Sequence, residues 1–277
     1  MSDTQSNNSD FSTGRRFISY AEYKADFIKI FNQLARHRGR YEVFSDFITM
    51  SAISLNNAMF KNQQLEDEYL SIGKKYSTED FKGVTELFAI VTMALELKPF
   101  DVLGDLYMSL ELGNKHNGQF FTPHHISELM AKLVHGDSLK TIDKPFITLS
   151  DPACGAGSMI LAYVELLINN DHNPAQKLFV QAVDIDRTVA LMCFIQLSLW
   201  GVPAEVIVGN TLTMEYREYW HTLIYKMCGW RSKLTEHYQP AKDLETANMA
   251  LSLTDEQPIK QPRPIKPVTK SFQLDLF

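Results

Sequence analysis

Apolar residues recur at helical spacing through the first hundred positions of the chain and then switch to short unbroken runs. Phe27, Ile30, Phe31 and Leu34 form one stripe, and Phe44, Phe47, Ile48, Leu55 and Met59 form another. Each set is the buried face of an amphipathic helix. Ser77-Thr78-Glu79-Asp80 has the form of a helix start, with Val84, Leu87, Phe88, Val91 and Leu95 behind it. The pattern predicts a helical domain over residues 17–112, preceded by a Ser/Asn/Asp-rich segment, 1–16, with almost nothing to bury.

After Gly113 the period changes. FITLSD (146–151), LFVQAVD (178–184) and AEVIVGN (204–210) are short apolar or β-branched runs bounded by polar or turn residues, as buried parallel strands are. Helical spacing returns between them, from Ser158 to Ile168 and from Thr188 to Leu199. The order β-α-β-α-β predicts three strands of one parallel sheet. A further helix is predicted from Met214 to about Met227, and no strand is expected after Gly229. Residues 113–230 thus read as a Rossmann-like α/β unit, 231–254 as a polar, partly helical segment, and 255–277 as a Pro/Lys linker ending in an apolar peptide.

Composition narrows the class. With 277 residues, 45% hydrophobic and 22% charged, the chain has room for one or two globular domains. No run approaches the roughly 18 apolar residues of a membrane span, and the polar start lacks a hydrophobic signal region, so a cytoplasmic protein is expected. Cys154, Cys193 and Cys228 are isolated and odd in number, which suggests neither a disulfide framework nor a zinc site. His124 and His125 are expected as solvated helix-start residues rather than metal ligands. A net charge of −6 argues against strong unspecific binding to nucleic acid by this chain alone.

The candidate chemistry sits where the first strand ends, at Asp151-Pro152-Ala153-Cys154-Gly155-Ala156-Gly157. A strand, a glycine turn and a helix together present backbone N–H groups to a ligand. The phosphate-binding loop is excluded because no Lys-Ser/Thr follows the glycines, and the full GxGxxG fingerprint is absent. The second strand ends in Val183-Asp184-Ile185-Asp186, which places a carboxylate where it could accept both ribose hydroxyls of an adenosine. Asp151 in the turn suits a cationic amine better than a pyrophosphate. The expected ligand is an adenosine without a phosphate chain.

GQFFTP (118–123), DPACGAG (151–157), AVDID (182–186) and GNTL (209–212), in this order, resemble the S-adenosylmethionine motifs of amino-methylating DNA methyltransferases. The resemblance is to the modification subunits of type I restriction systems in particular, and runs from about Asp101 to Leu212, with a similar helical domain before it. It implies that Phe120, Phe121, Thr122 and Pro123 line the methionine end of S-adenosylmethionine. Asp151, Ala153, Gly155 and Gly157 would cradle its amino acid part, Asp184 the ribose, and Ile185 would pack on the adenine. Asn210 stands where the family usually has Asp on the adenine amino group, and would accept that bond without charge.

The (Asp/Asn)-Pro-Pro-(Tyr/Phe) loop that holds the target base in that family does not occur in this sequence, so no catalytic residue is assigned. Asn173-Pro174-Ala175-Gln176 is the nearest match and reads as a turn before the second strand. The chain therefore reads as the cofactor-binding half of a methyltransferase, with its first strand at an open edge. Gln273-Leu274-Asp275-Leu276-Phe277 resembles the peptide by which bacterial replication and repair proteins dock on the DNA sliding clamp. Two functions follow as expectations. One is a DNA (adenine-N6) methyltransferase-type protein acting on DNA with a specificity or catalytic partner subunit. The other is a catalytically inactive relative that docks on the clamp or on a restriction-modification complex.

Overall fold

The computed structural model describes residues 18–58, 60–112, 121–135, 139 and 142–237. Five helices come first: α1 (Tyr20–Phe31), α2 (Arg40–Asn57), α3 (Gln63–Gly73), α4 (Thr78–Leu95) and α5 (Val102–Ser109). Except at α2, which starts after Gly39, their starts are set by side chains that accept the free N–H groups of the first turn. Ser19 and Glu22 form a capping box on α1, Asn62 caps α3, Ser77 caps α4 and Asp101 caps α5. The stripes predicted from spacing meet as a core in which Phe27, Phe31, Phe44, Phe47 and Tyr107 are fully buried. Their rings lie edge to face at 5.5–6.0 Å for the Phe27–Phe47, Phe31–Phe44, Phe44–Phe47 and Phe44–Tyr107 pairs.

After α6 (His124–His135) the chain alternates between strand and helix. The order is β1 (Ile147–Asp151), α7 (Ser158–Asn169), the short α8 (Pro174–Lys177), β2 (Leu178–Asp184), α9 (Arg187–Leu199) and β3 (Ala204–Asn210). Then come β4 (Glu215–His221), α10 (Leu223–Met227) and α11 (Trp230–His237). The strands lie in the order β1-β2-β3-β4, the first three parallel and β4 antiparallel to β3. Cys193 and Gln196 of α9 meet Gly157 and Ala156, just ahead of α7, and both crossover helices share one face of the sheet. α9 packs the sheet on one side and α2, α4 and α5 on the other. It is accordingly buried from Thr188 to Ser198 and shows no polar stripe.

One expectation is corrected. Residues 214–227 were predicted as a helix, but 215–221 form β4, and only Leu223–Met227 is helical. Tyr216, Trp220, Leu223, Ile224 and Met227 do recur at helical spacing, but in the fold it is exposure that alternates along 215–220, with Glu215, Arg217 and Tyr219 outward, Tyr216 and Glu218 half-buried, and Trp220 buried 5.3 Å from the Phe194 ring. A turn at 211–214, with Met214 at φ 59°, folds the strand back on β3 and decides between the two periods. The hairpin needs Gly209, because a Cβ there would lie 2.6 Å from the Glu215 carbonyl oxygen. Asn173-Pro174 is an N-cap followed by proline in the first turn of α8 rather than a free turn. Segments 1–16 and 255–277 lie outside the described residues, as does 231–254 beyond His237.

Candidate nucleoside site at the strand ends

The carboxyl ends of β1, β2 and β3 gather most of the predicted residues in one place, where ligands of open α/β sheets bind. The turn after β1 needs its glycines: Gly155 has φ +55° and Gly157 φ +94°. A Cβ on Gly157 would also stand 3.0 Å from the Cys193 sulfur. Pairing between the strands carries into the turn through the Cys154 N–H, which donates to the Val183 carbonyl at 2.9 Å. The Thr211 hydroxyl donates to the Pro152 carbonyl at 2.7 Å and ties in the end of β3.

Asp184 organises this end of the sheet. One of its oxygens accepts the Gly155 N–H and the other the Asp186 N–H, both at 2.9 Å. A carboxylate has about four acceptor positions, so these bonds do not fill it. Burial pushes the Asp184 carboxyl above its usual range, against the pull of these backbone donors. Asp151 accepts the Ala153 N–H at 3.2 Å, and burial, with the charge of Asp184, raises its carboxyl too. A bound cation would relieve that pair.

The remaining predicted residues are distributed as follows. Phe121 lies against Gly155, where a Cβ would meet the ring at 3.4 Å, and its other edge faces Tyr107 with ring centroids 5.4 Å apart. The Thr122 carbonyl accepts the Ser158 hydroxyl at 3.1 Å, which fixes residues 122–123 to the first turn of α7. Ile185 is 60% exposed beside the turn, an open apolar face of the kind an adenine ring would cover. Asn210 differs from expectation: its side-chain oxygen accepts the Leu212 and Thr213 N–H groups at 3.0 and 3.4 Å, closing the hairpin turn. Phe120 lies outside the described residues. His124 is half-buried against Glu165 at 3.2 Å, and not simply solvated as predicted.

Spacing alone did not reveal the support beneath the turn. Gln196, fully buried, donates to the Ala156 carbonyl at 2.8 Å and to Asp101 at 2.9 Å, and accepts the Leu103 N–H at 3.1 Å. It joins the glycine turn to the start of α5. Its one signal in the sequence is a glutamine inside the otherwise apolar run VALMCFIQL. Cys154 and Cys193 are buried free thiols, and their mutual contact, then burial, holds the Cys154 thiol well above its usual range. A cavity of about 620 Å³ lies elsewhere, between α2–α3 and β4–α10. Lys61, Arg187 and Lys226 line it, and Arg187 is already held by Glu68 at 2.9 Å and Glu218 at 2.8 Å.

Burial pushes the Asp101 carboxyl, which caps α5, up to about 6 from 3.8. A raised folded value means that the folded state holds this proton more tightly. The contribution is complete below about pH 4 and disappears as pH rises through 6. Asp101→Asn can still accept both bonds through its oxygen. We expect it to remove about 1–3 kcal/mol of this pH dependence, read as the difference between variant and parent in urea unfolding at pH 4.5 and 7.5. Equal slopes in the two proteins would refute the assignment.

A glycine turn, an acidic end on the next strand and parallel crossovers with both helices on one face define a Rossmann-like α/β domain with a candidate nucleoside site. In sequence, residues 99–227 match the model of the N-6 DNA methylase family, somewhat under half of the 277-residue chain. The chain is also 33% identical over 166 residues to the methylase subunit of the type I restriction enzyme MpnII of Mycoplasma pneumoniae. That match covers 56% of this chain and 29% of the relative, so the chain spans less than a third of the relative's length. Two solved structures align at 14% identity. One, from Listeria monocytogenes, is assigned as a class I S-adenosylmethionine-dependent methyltransferase (TM-score 0.39, covering 69% of this chain and 54% of that one). The other is the type I restriction-modification methyltransferase subunit of Streptococcus thermophilus (TM-score 0.36, covering 67% and 57%).

Proposed function

We propose that the chain is a DNA (adenine-N6) methyltransferase-type protein that binds S-adenosylmethionine at the strand ends and acts in the cytoplasm with a partner subunit. The observation that carries this reading is the match of residues 99–227 to the N-6 DNA methylase family over the segment that builds the site. The donor set fits the cofactor. Asp184 keeps acceptor positions for the ribose, Asp151 offers negative charge to the amino group, and Ile185 offers an apolar face to the adenine. Gly155 and Gly157 leave room for the methionine backbone, with Phe121 beside them. When bound, S-adenosylmethionine supplies an electrophilic methyl group; the chain's own residues orient it and hold its charge. The similarity to a methylase subunit supports a partner. Among the described residues no helix is long and apolar enough to cross a membrane.

The test is transfer of labelled methyl from S-adenosylmethionine to unmethylated DNA by the full chain, alone and with candidate partner subunits. Label that Asp184→Ala removes is the expected result. Cofactor binding without label in any combination would overturn catalysis and leave the second reading, a regulatory relative. Gln273–Phe277 favours that second reading, since its resemblance to clamp-docking peptides gives the chain a second kind of partner. Immobilised sliding clamp is expected to retain the full chain and to lose it when Gln273–Phe277 is deleted; equal retention would remove the peptide from the argument.

A further inference from the structure

The cavity between α2–α3 and β4–α10 has no part in the cofactor reading. Its volume of about 620 Å³ is that of a site for a small organic ligand. Three cations, Lys61, Arg187 and Lys226, line it against two acids, Glu68 and Glu218. Arg187 uses both acids. Its terminal nitrogens donate to Glu68 at 2.9 and 3.1 Å and its Nε to Glu218 at 2.8 Å, while the Trp220 indole N–H also donates to Glu218, at 3.0 Å. The guanidinium thus braces α3 and β4 against α9. Among the described residues neither lysine forms an ion pair.

Lys226 is half-buried. Its ammonium donates to the Asn56 side-chain oxygen at 3.4 Å and lies 4.3 Å from the centre of the Phe60 ring. Both partners are neutral, so burial pulls this ammonium below its usual range and no carboxylate offsets it. Asn56 is itself buried, 8% exposed, and belongs to the wall. A partly desolvated cation without a counter-charge costs stability until an anion completes it.

The sign of the charge separates this cavity from the strand ends. Asp151 and Asp184 suit the cationic groups of S-adenosylmethionine and repel phosphate; two free lysines do the reverse. A phosphomonoester carries about 1.5 to 2 negative charges at pH 7, which matches two ammonium groups acting as point charges. The rest of the lining suits a nucleoside. Phe60 is 37% exposed and Leu65 half-buried, and the amides of Asn62 and Gln64 line the same cavity. The Asn62 oxygen caps α3 by accepting the Gln64 and Leu65 N–H groups at 3.0 and 3.2 Å, which leaves its NH2 to donate. Gln64 carries a donor and an acceptor side by side, the pair that a base edge takes.

We propose that this cavity binds a nucleoside monophosphate, with the phosphate on Lys61 and Lys226, the base against Phe60 and Leu65, and the base edge on Asn62 and Gln64. The nucleotide is either free or the phosphorylated end of a DNA strand; the chemistry held is the same. The site does not depend on the chain being a methyltransferase.

Titration calorimetry of the full chain with dAMP tests the site. Deoxyadenosine and inorganic phosphate are each expected to bind about tenfold more weakly or worse, because each keeps only part of the contacts. Lys61→Gln and Lys226→Gln should each weaken dAMP by about tenfold, since each removes a charged hydrogen bond. Lys61 is exposed, so its variant keeps the test alive if Lys226→Gln fails to fold, as judged by circular dichroism. A 5′-phosphorylated oligonucleotide that binds more tightly than dAMP, and weakens in the same variants, identifies the strand end as the source. Binding of dAMP at least as tight as the oligonucleotide identifies the free nucleotide. No binding of either at millimolar concentration overturns the proposal. So does deoxyadenosine that binds as tightly as dAMP, which would put the nucleoside at the strand ends, or an affinity that the folded lysine variants leave unchanged.

Discussion

Asp184→Ala is expected to lower the affinity for S-adenosylmethionine by about a hundredfold or more, because hydrogen bonds to a charged acceptor contribute about 1.5–3 kcal/mol each and the ribose offers two. The side chain acts twice. Its oxygens hold the Gly155 and Asp186 N–H groups at 2.9 Å, which sets the path of the glycine turn and the end of β2. Its remaining acceptor capacity is what the proposed function assigns to the ribose. Asp184→Asn is a milder change: its amide oxygen can keep the Gly155 N–H, while the charge and the bond from the Asp186 N–H are lost, and about tenfold weaker binding is expected. Titration calorimetry with the full chain would measure both, with circular dichroism to verify folding. Affinity within threefold of the parent for the folded Asp184→Ala protein would place the ribose elsewhere.

The site was partly legible in the sequence because its main parts are backbone devices. Two glycines at positive φ and an acid at the end of a buried strand are forced by local geometry, and local geometry leaves a signature in residue type. The parallel strands were legible because largely buried strands read as short, mainly apolar runs: 178–184 is broken only by the exposed Gln181 before its terminal Asp184, and 204–208 only by the half-buried Glu205. β4 was not, because Tyr216 and Trp220 fit a helical period that continues through Leu223 and Met227 as well as they fit a strand, and only contact with β3 distinguishes the two. Asn210 shows the limit for side chains. Its position at the end of β3 could be read, but its oxygen is engaged by the turn at 211–213, which depends on how the next strand folds back. The hidden support is tertiary throughout: Gln196, Asp101 and Ala156 are far apart in sequence and meet only after α9 has packed under the turn.

That support carries the second large effect. Gln196→Ala is expected to destabilise the protein by about 3–5 kcal/mol, because breaking a buried network leaves its other polar groups without partners. The amide, fully buried, satisfies the Leu103 N–H, the Ala156 carbonyl and one oxygen of Asp101 at 2.8–3.1 Å. Asp101 would keep only the Gly104 N–H, at 2.7 Å, beside an apolar void. Its carboxyl should then protonate at higher pH than in the parent, since burial raises it and the Gln196 bond lowers it. The loss of stability is therefore expected to be larger at pH 8 than at pH 5, where protonation spares the buried charge. Gln196→Met, of similar volume, separates packing from hydrogen bonding: it fills the space without either donor or acceptor. Urea unfolding of the three proteins at both pH values measures the effect. If Met restores the parent's stability, the glutamine is filling space, and the bonds to Ala156 and Leu103 do not hold the glycine turn in place.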